Sequence, residues 1–522
     1  MKHFLQKHDK DITGAISGWD RIAWRGTVRW LSSVSGLYSY LQCNDILLKD
    51  FKGWAIDLTD KVRRSCDALA DIWGIRKQYL RSSAIDKEAL ARQIAKEDGI
   101  ETGPICMFSI VEPCWSPWVY PNKETKQLEI SMRPRKCVWI YFYETDEKTG
   151  FGHMRIQSWL PFTVKGNSNG RHWLEQQLKA EGIDHTKSEN CFRWIEDPFR
   201  AQEMMDEQLK TNWNDFLETR RKRYFGELDS LFKDNPLYYY WSADETEWAT
   251  DIMFKSRQKV DRLFPILSRY GLLTSDSANV MRFMGKIDKD AKIPAGVTRD
   301  IKTDRRRRYE GVRSKHNVGR NSIKIYNKAG NVLRTETTIN NTRSFKVFRK
   351  AEGSQSGKLS WQRMRKGVAD LHRRAEVSQK SNERYLEALS ACECSKTLLE
   401  QIEDICKRTK KDGRSVRALN PWSKKDLKML TFLAKGEWHI NGFRNRDLCG
   451  WIYPELCEKS KEQKRRLSSR TSYLIRMLRA HGLVRKVPKE NRYVLTKKGH
   501  EISTLVSTAS HVDSQQLIKM AA

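Results

Sequence analysis

The sequence predicts a multidomain α+β protein: a helical N-terminal region, central antiparallel sheets with helices, and a C-terminal module of helix, β-hairpin and helix. Three observations carry this. Apolar residues recur at helical spacing early in the chain. Between residues 105 and 164 they give way to short β-branched and aromatic runs separated by turn residues. The last hundred or so residues return to helical spacing around one short hairpin. A length of 522 residues suits about three domains. The boundaries read as 1–100 (helical), 101–360 (α+β, nucleic-acid binding or processing), 361–412 (connecting helix and linker) and 413–522 (C-terminal domain).

Composition narrows the class. Lys and Arg number 97 against 65 Asp and Glu, a net charge of +32. Such an excess favours polyanionic partners and says nothing about fold. The 18 Trp, 17 Tyr and 18 Phe supply a core that a disordered basic tail lacks. No apolar run approaches the ~20 residues that span a bilayer, and the N-terminus lacks a signal-peptide core. No membrane partner is expected, and the expected location is cytoplasmic. Eleven cysteines include no CxxC pair. Cys392 and Cys394 are the closest, so reduced thiols are expected and no structural zinc.

In chain order, residues 11–96 read as helical. Trp19, Ile22, Ala23 and Trp24 open one apolar face, Trp30 to Leu41 continue it, and Val62, Cys66, Leu69, Ile72 and Trp73 form another. These tryptophans read as core, with base stacking the alternative. Residues 105–111, 128–132, 138–143 and 153–159 read as strands joined by turns. Residues 138–143 (VWIYFY) are apolar enough for burial on both faces. A helix follows at 173–182, then a charged helix or helix pair at 199–225. Its end, Arg220-Arg221-Lys222-Arg223, reads as a solvated face or a phosphate contact. Residues 241–285 read as helical with two breaks, closing in a short helix at 278–284. On that reading Asp244, Glu247 and Asp251 (i, i+3, i+7) share a face. They are then either Mg²⁺ ligands or solvent-facing charges near a helix N-terminus.

Arg305, Arg306, Arg307 and Arg308 open the central basic stretch. From residue 305 to 328 there are nine Lys or Arg against one Glu. Residues 321–328 and 332–339 alternate around the turn Ala329-Gly330-Asn331. Ile323 and Ile325 face one side; Lys324, Tyr326 and Lys328 face the other. In the second strand Arg334, Glu336 and Thr338 share a side. If the two sides coincide, Tyr326, Arg334 and Glu336 are neighbours. A phenol becomes a useful nucleophile only where cations stabilise its anion, and a carboxylate can position Mg²⁺ or Mn²⁺ on a phosphate. The alternative is a basic hairpin gripping a backbone. His316 is either a further ligand or a solvated, phosphate-contacting residue. The segment IKIYNKAGNVLRTETTIN resembles the tyrosine-strand region of rolling-circle replication initiators. That resemblance implies DNA nicking through a covalent tyrosyl phosphate, with Tyr326 as nucleophile, Glu336 as metal ligand, and Lys328 and Arg334 on phosphate.

Residues 353–357 (GSQSG) read as a joint, 364–392 as a long helix and 407–417 as a basic linker. No GxxxxGKS loop indicates ATP use. In the C-terminal domain Leu427, Leu430 and Leu433 mark one helix, and Phe443, Leu448 and Ile452 a second. Leu474, Met477, Leu478 and His481 mark the buried face of a third, leaving Arg470, Arg476 and Arg479 on other faces. Gly482 ends that helix. Residues 484–487 and 492–495 form a hairpin about the turn 488–491, and Thr496 caps a last helix. From residue 464 to 498 there are twelve Lys or Arg against one Glu. This order resembles the winged helix-turn-helix domain of MarR-type transcriptional regulators. It implies a helix in a nucleic-acid groove and a wing carrying Arg485, Lys486 and Arg492 on phosphates. The alternative is the same fold used for protein partners.

The expected function is therefore nucleic-acid binding, DNA first and RNA as the alternative, in a replication-initiator or mobile-element setting. Tyrosine-dependent nicking with Mg²⁺ or Mn²⁺ is the catalytic form of that reading. A non-catalytic winged-helix regulator or RNA-binding scaffold is the other.

Overall fold

The computed structural model describes residues 1–286, 301–351, 353, 357–390, 398–411, 413–455, 460–488 and 490–513. Cys392, Cys394, most of the 353–357 joint and Lys489 of the wing turn lie outside the described residues. The protein is a mixed α/β molecule of two units. One, here the sheet lobe, comprises Thr13–Met253 and Glu336–Gln379. The other, the three-segment lobe, comprises Met1–Ile12, Phe254–Thr335 and the chain from Lys380 onward. This grouping divides the chain differently from the sequence boundaries, because residues 254–335 join the C-terminal region.

The sheet lobe is built on β1 (Ile12–Val28), β2 (Arg76–Leu80), β3 (Gly103–Pro121), β4 (Leu128–Asp146), β5 (Gly150–Gln157), β6 (Val164–Asn169) and β9 (Tyr239–Phe254), with a separate hairpin, β7 (His185–Ser188) and β8 (Cys191–Ile195). The main order is β9-β1-β6-β5-β4-β3-β2. Neighbours from β1 to β3 are antiparallel, and β2 runs parallel to β3. On one face Ile22, Trp24, Ile140, Phe142, Met154, Ile156 and Val164 form the main core. The helix Phe51–Ile72 closes on it through Ala55, Leu58, Val62, Cys66 and Ala70, spaced three or four apart. On the other face the helix Lys87–Glu97 covers Phe108, Tyr141 and Tyr143 with Ala91 and Ile94.

The predicted strands at 105–111, 128–132, 138–143 and 153–159 lie in β3, β4 and β5, the last running two residues past the end of β5. The helices Gly170–Ala180, Pro198–Gln208 and Trp213–Phe225 also match expectation. Two helical readings fail. Residues 12–28 are a strand: Ile22, Trp24, Gly26 and Val28 are buried while Ala23, Arg25 and Thr27 are half-exposed, a period of two. Residues 239–254 are a strand too, and burial of both faces near its end erased the alternation. The proposed Mg²⁺ face goes with it. In a strand Asp244 and Glu247, three apart, point to opposite faces. Asp251 is fully buried against Arg171 at 2.9 Å, and Asp244 pairs with Arg25 and Lys366, each at 2.6 Å. Arg220 and Arg221 are buried rather than solvated. Arg220 pairs with Glu144, and Arg221 with Glu218 and Asp229.

In the three-segment lobe β10 (Lys302–Arg308), β11 (Gly311–Val318) and β12 (Asn321–Lys328) follow one another in order, β10 being an edge; β13 (Val332–Ile339) comes next, its residues up to Thr335 in this lobe and those from Glu336 in the sheet lobe. Ala329 and Gly330 both take positive φ, 50° and 82°, as a tight hairpin turn requires. The helix Ser277–Phe283 is capped by Asp276, which accepts from Asn279 N–H at 2.8 Å. A hairpin of β14 (Lys346–Lys350) and β15 (Leu359–Arg363) belongs to the sheet lobe. The helix expected at 364–392 is Leu371–Ser390 among the described residues, preceded by a 3₁₀ turn where Asp370 holds Arg365 at 3.0 Å.

Candidate nucleic-acid interface

The C-terminal part of the three-segment lobe has its own core. Met429, Leu430, Phe432 and Leu433 of the helix Lys424–Ala434 meet Leu448, Leu474, Leu478 and Ile502. The basic helix Lys461–Ala480 starts at a capping box: Ser460 accepts from Gln463 N–H at 3.3 Å and Gln463 accepts from Ser460 N–H at 3.1 Å. It ends where Gly482 takes φ +73° and Leu483 N–H donates back to Leu478 at 3.0 Å. His481 is buried, as its place on the apolar face predicts. Its Nε2 meets the Arg417 carbonyl at 2.8 Å, and burial holds it below its usual pKa.

Next come β16 (Thr409–Lys411) with β17 (Arg414–Val416), and β18 (Val484–Lys486) with β19 (Tyr493–Leu495). Phe443 and Tyr493 exchange two backbone hydrogen bonds of 2.7 and 2.8 Å, adding a third line to the β18–β19 hairpin. Gly442 permits it, with φ +67° and ψ −169°, where a Cβ would lie 2.0 Å from the Tyr493 carbonyl oxygen. Gly442→Ala is therefore expected to cost this lobe at least about 1–3 kcal/mol, read as a lower melting midpoint. Thr496 caps the last helix, Lys497–Ala509, accepting from Gly499 N–H at 3.0 Å.

The outward face of the basic helix is cationic. Lys461, Arg465, Ser469, Ser472 and Arg476 are exposed and lie three or four residues apart, one side of a helix. Arg466 and Arg470 are exposed on its flanks, and Arg479 is half-buried. Arg465, Arg466, Arg470 and Arg476 form no ion pair among the described residues. The helix carries no Asp or Glu after Glu462. On the hairpin Arg485 and Lys486 are exposed, while Arg492 is held by Glu490 at 2.7 Å. Sequence reading named Arg470, Arg476 and Arg479. It missed Lys461 and Arg465, because the helix starts six residues earlier than the stretch it singled out. The capping box Ser460-x-x-Gln463 was the signal that would have found them.

A second basic surface is the β10 edge. Arg305–Arg308 are all exposed. Lys302, Arg306 and Arg308 share a face with Arg313 and Lys315 of β11 around Asp304, which holds Arg313 at 2.9 Å. Charge on an edge strand also blocks edge-to-edge pairing, so this surface is less specific than the helix.

The expected tyrosine site looks different from its sequence reading. β12 and β13 are buried on both faces nearly throughout. Tyr326 is 7% exposed, hydrogen-bonded to Arg313, and has the Lys328 ammonium 5.8 Å from its ring centroid. Lys324, Lys328, Arg334 and Glu336 are buried as well, at 6% or less. That burial corrects the expectation of an open cationic side carrying Lys324, Lys328 and Arg334 as phosphate binders. Glu336 belongs to no cluster of three His, Cys, Asp or Glu side chains, and the described residues contain no such cluster. His316 is a core histidine: Nδ1 lies 2.9 Å from the Thr303 hydroxyl, Nε2 lies 2.9 Å from the Tyr385 hydroxyl, and burial takes it down to about 4. Among the described residues no helix is long and apolar enough to cross a membrane. No family model, curated protein or solved structure matches the chain.

Proposed function

We propose that the protein binds nucleic acid, with the helix Lys461–Ala480 as its principal reading element and the β18–β19 hairpin beside it as a phosphate contact. The observation that carries this is the row of exposed cations on one helix face, of which Arg465 and Arg476 form no ion pair among the described residues. Side chains that satisfy no internal charge, on an element of groove width, suit a phosphate backbone. The resemblance to winged helix-turn-helix regulators rests on the order of helix, hairpin and helix. Duplex DNA is the favoured ligand, since a helix fits a major groove about 12 Å wide.

Burial of Tyr326 favours a binding protein over a tyrosine nickase, because a covered phenol cannot reach a scissile phosphate. The test is incubation with supercoiled plasmid and Mg²⁺ or Mn²⁺. The plasmid is expected to stay supercoiled while being retarded on a gel. Nicking by the wild type that Tyr326→Phe abolishes would restore the catalytic reading.

A further inference from the structure

A row of cations crosses the sheet lobe on the face opposite its main core. Arg25 of β1 pairs in register with Lys165 of β6, and Lys165 pairs with Arg155 of β5. Directly opposed residues project to one face about 5 Å apart, and like charges so placed are destabilising. Among the described residues carboxylates serve only the two ends. Asp244 takes Arg25 and Lys366, and Glu112 takes Arg155 at 2.9 Å and Lys87 at 3.2 Å. The central ammonium has no hydrogen bond or ion pair among the described residues and lies 5.2 Å over the Trp139 ring. Burial, then the charges of Arg25 and Arg155, push Lys165 down to about 8, with Asp244 and Glu112 opposing the shift. All three cations are half-exposed.

The same face continues onto the far part of the β3–β4 hairpin. Register places Trp118 and Tyr120 of β3 on the side of Glu112, with Arg133 and Arg135 of β4 beside them. Arg135 lies 4.4 Å over Trp118, and Arg133 lies 5.1 Å over Tyr120. Trp118 stays 39% exposed.

We propose that this face is a second nucleic-acid site, one for single-stranded DNA or RNA, with phosphates along Arg25, Lys165 and Arg155 and a base stacked on Trp118. The row keeps a destabilising charge that an anion would compensate. A broad sheet face cannot enter a duplex groove, whereas an unpaired strand lies flat on cations and aromatic platforms. The site is independent of the basic helix and stands or falls separately from it.

The test is fluorescence anisotropy of the full chain with labelled oligothymidylate, oligouridylate and a mixed-sequence duplex at several salt concentrations. The proteins are the wild type, Lys165→Met, Trp118→Ala and Arg476→Ala. Lys165→Met is expected to melt no lower than wild type at pH 7, because it relieves the row. A folded-state pKa below the ordinary lysine value penalises the charged form, so any such gain is present below pH 8 and fades toward pH 10.5. Its single-strand binding is expected to weaken, with a salt slope lower by about 0.7. Trp118→Ala is expected to weaken it about tenfold, and neither change moves duplex binding. Wild-type single-strand binding falls from pH 7 to 9.5, and that of Lys165→Met stays flat across the window. Comparing thymidylate with uridylate decides between DNA and RNA. Wild-type affinity in both the Lys165 and Trp118 variants, or single-strand loss confined to Arg476→Ala, overturns the proposal. So does weakened binding in Lys165→Met that inorganic polyphosphate reproduces in full while Trp118→Ala is silent.

Discussion

Asp251→Ala is expected to destabilise the sheet lobe by about 3–5 kcal/mol, the largest single-residue stability effect argued for this protein. Asp251 and Arg171 are both 0% exposed, 2.9 Å apart, and Arg171 also donates to the Ala249 carbonyl at 3.0 Å. Removing the carboxylate leaves a guanidinium in the interior with one backbone acceptor, and water cannot replace what is lost. The pair itself contributes little net stability, because its attraction mostly offsets two desolvation costs. The two ideas are separable. Arg171→Met/Asp251→Leu is expected to recover most of the loss, while each single change is severe. Denaturant titration followed by tryptophan fluorescence and by circular dichroism measures it. Two probes are needed because a chain of two units need not unfold in one step. A single variant within about 0.5 kcal/mol of wild type would mean that the lobe relaxes to hydrate Arg171.

Asp251 also marks where sequence patterns stop being informative. Trp248 and Ile252 stand four apart, as on a helix, yet they lie in a strand whose last seven residues are all buried. A strand covered on both sides loses its period-two signature, and chance spacings then read as helical. β1 is different: Ile22, Trp24, Gly26 and Val28 did alternate, and Trp19, Ile22 and Ala23 masked it. The hairpin of β12 and β13 was legible to the residue because Ala329-Gly330-Asn331 fixes its turn, but the exposure of its sides was not. Polar residues at alternate positions ordinarily face water. Here Lys324, Tyr326 and Lys328 are covered, and Tyr326 is engaged by Arg313, a partner thirteen residues away. In the C-terminal part of the three-segment lobe glycine and apolar spacing agreed from Leu474 onward, so the hairpin and last helix were readable, while the first turns of the basic helix, with Lys461 and Arg465, were not. The Arg25–Lys165–Arg155 row was unreadable in principle. Its members are 10 and 130 or more residues apart, and only strand register brings them into line.

The largest effect on binding is expected from reversing charge on the basic helix. Arg465→Glu/Arg476→Glu is expected to reduce duplex affinity about a hundredfold at moderate salt, each lost contact counting about 1.4 kcal/mol or a factor of ten. It should lower the salt slope by about 1.8, at 0.9 per phosphate released. The fold should tolerate the change. Both side chains are exposed without ion pairs among the described residues, and such surface exchanges ordinarily stay within about 0.5 kcal/mol. The helix dipole sets opposite signs at the two sites. A carboxylate is favoured toward the N-terminal half at 465 and disfavoured near the C-terminus at 476, so the two effects partly cancel. Arg465→Gln/Arg476→Gln separates lost attraction from new repulsion and is expected to show the same slope change with a smaller loss of affinity. Melting curves of the variants alongside anisotropy at four salt concentrations complete the measurement. If slope and affinity match wild type while the fold is intact, the cations of this helix do not touch phosphate. A partner protein would then be the better candidate for that face.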